Sequence, residues 1–188
     1  MTSSPIGVLQ STFYDDPQVI AGMPELYQRI QGLLAPNWFY LSASPYNLYT
    51  FLRPFLREHY PHGTIILRDA SWQNLDGLLQ SFTVGTEAYK SSRIEKIHTW
   101  LPAKKVLCVG DSTQSDPEAY GDMYRKFGRD WIRAIFIRKV TGVKGMDATT
   151  KNAPERFDKA FKDVPKSVWR VFEDPKELYQ AVDSLKTI

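Results

Sequence analysis

Two aspartates, Asp111 and Asp116, stand five positions apart just beyond the apolar run Lys105-Val106-Leu107-Cys108-Val109. Carboxylates are hard oxygen ligands, and a pair at the end of a hydrophobic strand suits magnesium. The same residues also have a structural reading, with Asp116 as a helix cap before Pro117 and Asp111 as a turn residue. Ser42 follows another apolar run, Trp38-Phe39-Tyr40-Leu41. Its hydroxyl and the backbone amides after it suit an anion, although a serine ahead of a helix also serves as an N-cap. Lys90 falls between these two places in the sequence, and alone it reads as a solvated surface residue. Taken in order, a hydroxyl, a lysine and paired acids describe phosphoryl chemistry. Ser42 and Lys90 neutralise phosphate oxygens while Asp111 and Asp116 hold a metal that does the same.

The elements that must position these residues are legible from periodicity. Gly22-Met23-Pro24-Glu25 opens a helix through Leu26, Ile30 and Leu34. A short strand over Asn37–Leu41 runs into a tight loop, Ser42-Ala43-Ser44-Pro45, and a helix from about Tyr46 to His59. Thr64–Arg68 is the next strand, and a helix over about Ser91–Trp100 begins just after Lys90. A strand over Lys105–Val109 ends in Gly110-Asp111-Ser112, and Asp116-Pro117-Glu118 starts another helix. Trp131–Arg138 is a further strand, followed by a Lys/Asn/Asp-rich exposed loop. Val168–Phe172 and Pro175–Leu185 close the chain as strand and helix. Strands alternating with helices predict a parallel sheet covered on both faces, in a single domain over residues 1–188. Ligands gather at the carboxyl ends of strands in such sheets, which is where Ser42 and the acidic pair fall.

Composition narrows the function classes. With 188 residues, 43% of them apolar and 13% aromatic, the chain can bury a substantial core. A formal charge of +3 comes from both signs spread along the sequence, which gives no ground for a nucleic-acid partner. The single cysteine, Cys108, excludes an internal disulfide and reads as a small core residue. No apolar run reaches the length of a membrane span, and His59, His62 and His98 have no zinc-ligand spacing.

Several segments together resemble the actin-patch-associated phosphatidate phosphatase family of the haloacid dehalogenase superfamily. They are Gly22-Met23-Pro24-Glu25-Leu26-Tyr27, Phe39–Pro45, Ile94-Glu95-Lys96-Ile97 with Leu101-Pro102, Val109–Ser112 with Asp116, Glu118 and Tyr120, and Ile135–Arg138 with Val140-Thr141. The resemblance is strongest over residues 20–142. It implies a three-layer Rossmann-like α/β fold of the haloacid dehalogenase type. It also implies Mg2+-dependent hydrolysis of a phosphomonoester, phosphatidate to diacylglycerol, through an aspartyl-phosphate. Ser42 takes the phosphate-binding role, Lys90 the charge-stabilising role, and Asp111 with Asp116 the magnesium-binding role. Ala43, Ser44, Gly110 and Ser112 form the phosphate loop or support it. The implied partner is an anionic phospholipid met peripherally at a membrane, and the implied location is cytoplasmic, at membranes or cortical actin patches.

Two departures accompany the resemblance. Ala43 stands where family members often carry asparagine. More seriously, the family's Asp-x-Asp-x-Thr run, whose first aspartate is the nucleophile, does not occur, and Asp15-Asp16 has the wrong spacing. The expectation is an N-terminally truncated catalytic domain that lacks its first central strand and is inactive alone; if residues 6–13 refold as a surrogate strand, the sheet survives without catalysis. A catalytically inactive lipid- or protein-binding domain is the alternative. Another is a related phosphatase with a soluble substrate, for which Trp72, Phe82 and Tyr89 offer a substrate-facing segment, although core packing is the commoner use of such aromatics.

Overall fold

The computed structural model of the chain describes residues 18–69, 85–142 and 146–187. The surrogate strand expected over residues 6–13, and Trp72 and Phe82, lie outside them. The described residues divide into two compact units, 18–69 with 174–187, and 85–142 with 146–173.

In the first unit, helix α1 (Met23–Leu34) has Pro24 in its first turn and buries Met23, Leu26 and Ile30, one stripe at helical spacing. Strands β1 (Trp38–Pro45) and β2 (Gly63–Arg68) pair in parallel, with Trp38 opposite Gly63 and Leu41 opposite Ile66. A 3-10 turn, Tyr46–Leu48, and helix α2 (Tyr49–His59) connect them. The C-terminal helix Tyr179–Ser184 packs on α1, where Arg29 donates two hydrogen bonds to Asp183 at 2.9 and 2.5 Å. A capping box at Asp174 and Glu177 starts the 3-10 turn that precedes this helix.

The second unit comprises helix α3 (Thr86–Trp100), strand β3 (Val106–Asp111), helix α4 (Asp116–Phe127), strand β4 (Ile132–Arg138), helices α5 (Ala148–Lys151) and α6 (Pro154–Ala160), and strand β5 (Trp169–Phe172). Its three strands are parallel in the order β3-β4-β5. The middle strand buries Ile132, Ala134, Ile135, Phe136 and Ile137, so side chains from both of its faces leave water. Such near-continuous apolar strands mark parallel sheets covered on both sides. Helix α4 packs on β3 and β4, and also meets α3 and α6. At Gly121 of α4 a Cβ would come within 2.0 Å of the Ala160 carbonyl oxygen, so only glycine lets α6 approach this closely.

The chain is therefore mixed α/β, with parallel sheets and packed helices, as the alternation predicts. Three local expectations change. Helix α3 begins at Thr86, not Ser91, after Gly85 in the left-handed conformation, so Lys90 sits inside the helix. Strand β1 continues through Ser42–Pro45, with a register shift after Leu41, where a tight loop was expected. The polar stretch after β4 contains α5 and α6. Asp147 caps α5 by accepting from the Thr150 amide at 3.1 Å, and α6 buries Phe157 and Ala160.

Candidate functional site

Strand β3 ends at Asp111, and the chain then turns into α4 at Asp116. The Asp116 carboxylate bends back over this turn. Its Oδ2 accepts from the Asp111 amide at 3.1 Å, and its Oδ1 accepts from the Lys90 ammonium, which α3 brings alongside. Asp116 is the first residue of α4, and its oxygens engage these two donors, so its role is not that of a simple cap. Lys90 is 5% exposed and Asp116 8%, which excludes the solvated-lysine reading. Burial holds the Asp116 carboxyl above the usual carboxylate range against the pull of Lys90, and the nearby Asp111 charge adds to the rise.

Gly110 makes this fold-back possible. A Cβ there would lie 2.7 to 2.8 Å from Asp116 Cβ, Cγ and Oδ2. Asp111 Oδ1 accepts from the Thr113 amide at 2.8 Å and from its hydroxyl at 2.5 Å, so one oxygen of this carboxylate does serve the turn. Behind the turn Ser112 is fully buried. Its amide donates to the Arg138 carbonyl and its Oγ accepts from the Val140 amide, both at 3.0 Å, fastening the loop to the end of β4. Lys90, Gly110, Asp111, Ser112 and Asp116 are thus assembled in one unit.

Ser42, Ala43 and Ser44 belong to the other unit. Alternation along β1 buries Ala43 and Pro45 and leaves Ser42 and Ser44 half-buried on the opposite side. Ser42 Oγ donates to Ser44 Oγ at 2.9 Å and accepts from the Ser44 amide at 3.1 Å. Neither the 3-10 turn nor α2 has a side-chain cap, so Ser42 is not the N-cap that its position allowed.

Among the described residues no group of three or more His, Cys, Asp or Glu is placed to hold a metal. The pair Asp111 and Asp116 nevertheless fits a magnesium ion in its donor chemistry. That ion is commonly held by one or two carboxylates, with water and substrate phosphate completing its shell.

Arg156, on α6, escaped the sequence reading. Its Nε and Nη2 donate to the Glu118 carboxylate at 2.8 and 3.0 Å. Its Nη1 donates to the carbonyls of Ser112 and Lys151 at 2.7 Å each, and Nη2 also donates to the Gln114 carbonyl. Three of these acceptors are main-chain atoms, which no side-chain spacing reveals. The accessible signal was Pro154-Glu155 ahead of Phe157 and Ala160, a short helix start with an apolar face.

Comparison with known proteins identifies the family of the chain. The sequence model of the family described as "Phosphatidate phosphatase APP1, catalytic domain" matches residues 1–139, a span that includes Ser42, Lys90, Asp111 and Asp116 and stops short of Arg156. Phosphatidate phosphatase APP1 of Saccharomyces cerevisiae is 31% identical over 133 residues. The match covers 70% of this chain and 22% of the length of that relative. No solved structure matches the chain significantly. With the family model matching well over half of its length, the chain belongs to the phosphatidate phosphatase APP1 catalytic-domain family.

Proposed function

We propose that the chain provides the phosphate- and metal-binding part of a Mg2+-dependent phosphomonoesterase of the haloacid dehalogenase type, acting on phosphatidate to release diacylglycerol. The observation that carries this reading is the buried Lys90–Asp116 pair folded over Gly110 at the carboxyl end of β3. A lysine and two carboxylates concentrated at a strand end form a set suited to a phosphate ester and its counter-ion. Family membership supplies the substrate class.

In this reading Asp111 and Asp116 hold the magnesium, which when bound offsets phosphate charge and orients the ester. Lys90 keeps Asp116 in place and adds positive charge beside the phosphate. The phosphate-binding role of Ser42 rests on the family resemblance alone; its hydroxyl bonds to Ser44. An aspartyl-phosphate route takes its attacking carboxylate from an Asp-x-Asp-x-Thr run, and none occurs in these 188 residues. That carboxylate accepts the phosphoryl group as diacylglycerol leaves with a proton, and water then cleaves the aspartyl-phosphate to give free phosphate. Among the described residues no helix is long and apolar enough to cross a membrane. By family resemblance, and independently of that absence, the lipid is met peripherally at a membrane, from the cytoplasmic side.

The test is phosphate release from phosphatidate vesicles with magnesium, comparing this chain with a longer form that carries an Asp-x-Asp-x-Thr strand. Activity in the longer form alone, abolished by Asp111→Asn, is the expected result. Release by neither form would favour the second reading, a catalytically inactive lipid- or protein-binding domain, to which the missing nucleophile motif also points.

A further inference from the structure

Every contact that orients Asp111 and Asp116 within their own loop is short in sequence, yet the loop is also held from α6, beyond the family match. Arg156 reaches from that helix to three points on the turn and the start of α4: the Ser112 carbonyl, the Gln114 carbonyl and the Glu118 carboxylate. The Arg156 side chain is 16% exposed and that of Glu118 31%, so the bidentate pair is largely shielded from solvent. The carbonyls of Ser112 and Gln114 flank Thr113, whose amide and hydroxyl hold Asp111 Oδ1. One guanidinium therefore fixes the residues on both sides of the group that sets the Asp111 carboxylate. A second tie runs through Asn152, which donates to the Val140 carbonyl at 2.8 Å, while the Val140 amide donates to Ser112 Oγ.

We propose that Arg156 is a positioning residue for the acidic loop. By cross-linking Ser112, Gln114 and Glu118 it presets the Asp111 carboxylate for a divalent cation, so that the affinity of this site is controlled from α6. This inference rests on the assignment of Asp111 and Asp116 as the magnesium pair. Lysine cannot replace the fork, since its donors all sit on one nitrogen and cannot span acceptors that the guanidinium reaches from three nitrogens in fixed geometry.

The decisive variant is Arg156→Lys in the full chain, read by Mg2+ titration calorimetry, thermal unfolding, and hydrogen exchange of the Asp111 and Thr113 amides without metal. The expected result is a folded chain with Mg2+ affinity about 10- to 100-fold weaker, the range typical of lost supporting contacts around a metal, and faster exchange at both amides. Glu118→Gln, which keeps an acceptor but loses the charge, should move both readouts the same way by less, and it decides the question if Arg156→Lys does not fold. A lowered unfolding temperature with unchanged Mg2+ affinity and unchanged exchange means that Arg156 is only structural, and overturns the proposal. Asp111→Asn separates the two assignments. If it leaves Mg2+ binding intact, the metal pair is misassigned, and the exchange rates alone then decide whether Arg156 orders the loop.

Discussion

Two strand ends carry the candidate chemistry, and they are built in opposite ways. Towards the end of β1, the Ser42 hydroxyl bonds, among the described residues, only to its neighbour Ser44, and both are half-buried. At the end of β3, Asp116 is buried and held by Lys90 from α3, while the turn is fastened to Arg138 at the end of β4, to Val140 just beyond it and to Arg156 on α6. The first site depends on local backbone geometry and the second on the packing of its whole unit. A carboxylate that loses hydration needs fixed compensating groups, whereas a half-exposed hydroxyl can exchange partners with water at little cost.

The sharpest way to break this contrast is to unpair the buried acid. Lys90→Met keeps the volume and removes the charge that compensates Asp116, so unfolding in urea should show a loss of about 3–5 kcal/mol, as for other broken buried ion pairs. A loss near zero would mean that Asp116 is solvated, and the two strand ends would no longer differ in kind.

Burial beneath the same loop can be probed through Cys108. Its burial, with the Asp116 charge as a smaller cause, pushes the thiol up to about 12. The thiol therefore stays protonated in the folded chain at pH values where the unfolded chain ionises. The stability this provides is full below the unfolded value near 9 and is lost progressively as pH rises through about 12. Relative to Cys108→Ala, the wild type should lose about 1 kcal/mol between pH 8.5 and pH 10, measured by denaturant unfolding. A constant difference across that interval would show that the thiol is not shielded.

The smallest effect belongs to β1. Ser42→Ala removes hydrogen bonds that are local and partly solvated, so its cost in unfolding free energy should stay below about 1.5 kcal/mol. A larger loss would show Ser42 to be as deeply built into its unit as Asp116 is into the other.

The same contrast explains what could be read from the residues alone. The apolar run Ile132–Ile137 marks a strand buried on both faces, and Gly110-Asp111 with Asp116-Pro117 marks a strand end and a helix start, because these signals are contiguous. The place of Lys90 inside α3 depends on Gly85, which takes the left-handed conformation ahead of the helix, and no apolar periodicity announces it. Helices α5 and α6 are only four and seven residues long, too short to be stable by propensity, and the buried Phe157 and Ala160 show that packing sustains α6. Arg156 remained hidden because what it recognises is mostly main chain, whose placement exists only after folding.

The separation of 44 positions from Ser112 to Arg156 also sets an order of events. During synthesis Asp111 and Asp116 leave the ribosome well before α6, so a nascent chain can pair β3 with β4 while its acidic turn still lacks the guanidinium brace. Completion of the turn waits for a long loop to close, at an entropic cost that early local contacts do not bear. A fragment ended at residue 139, where the family match stops, would retain every acid of the turn yet remain at that unfinished stage.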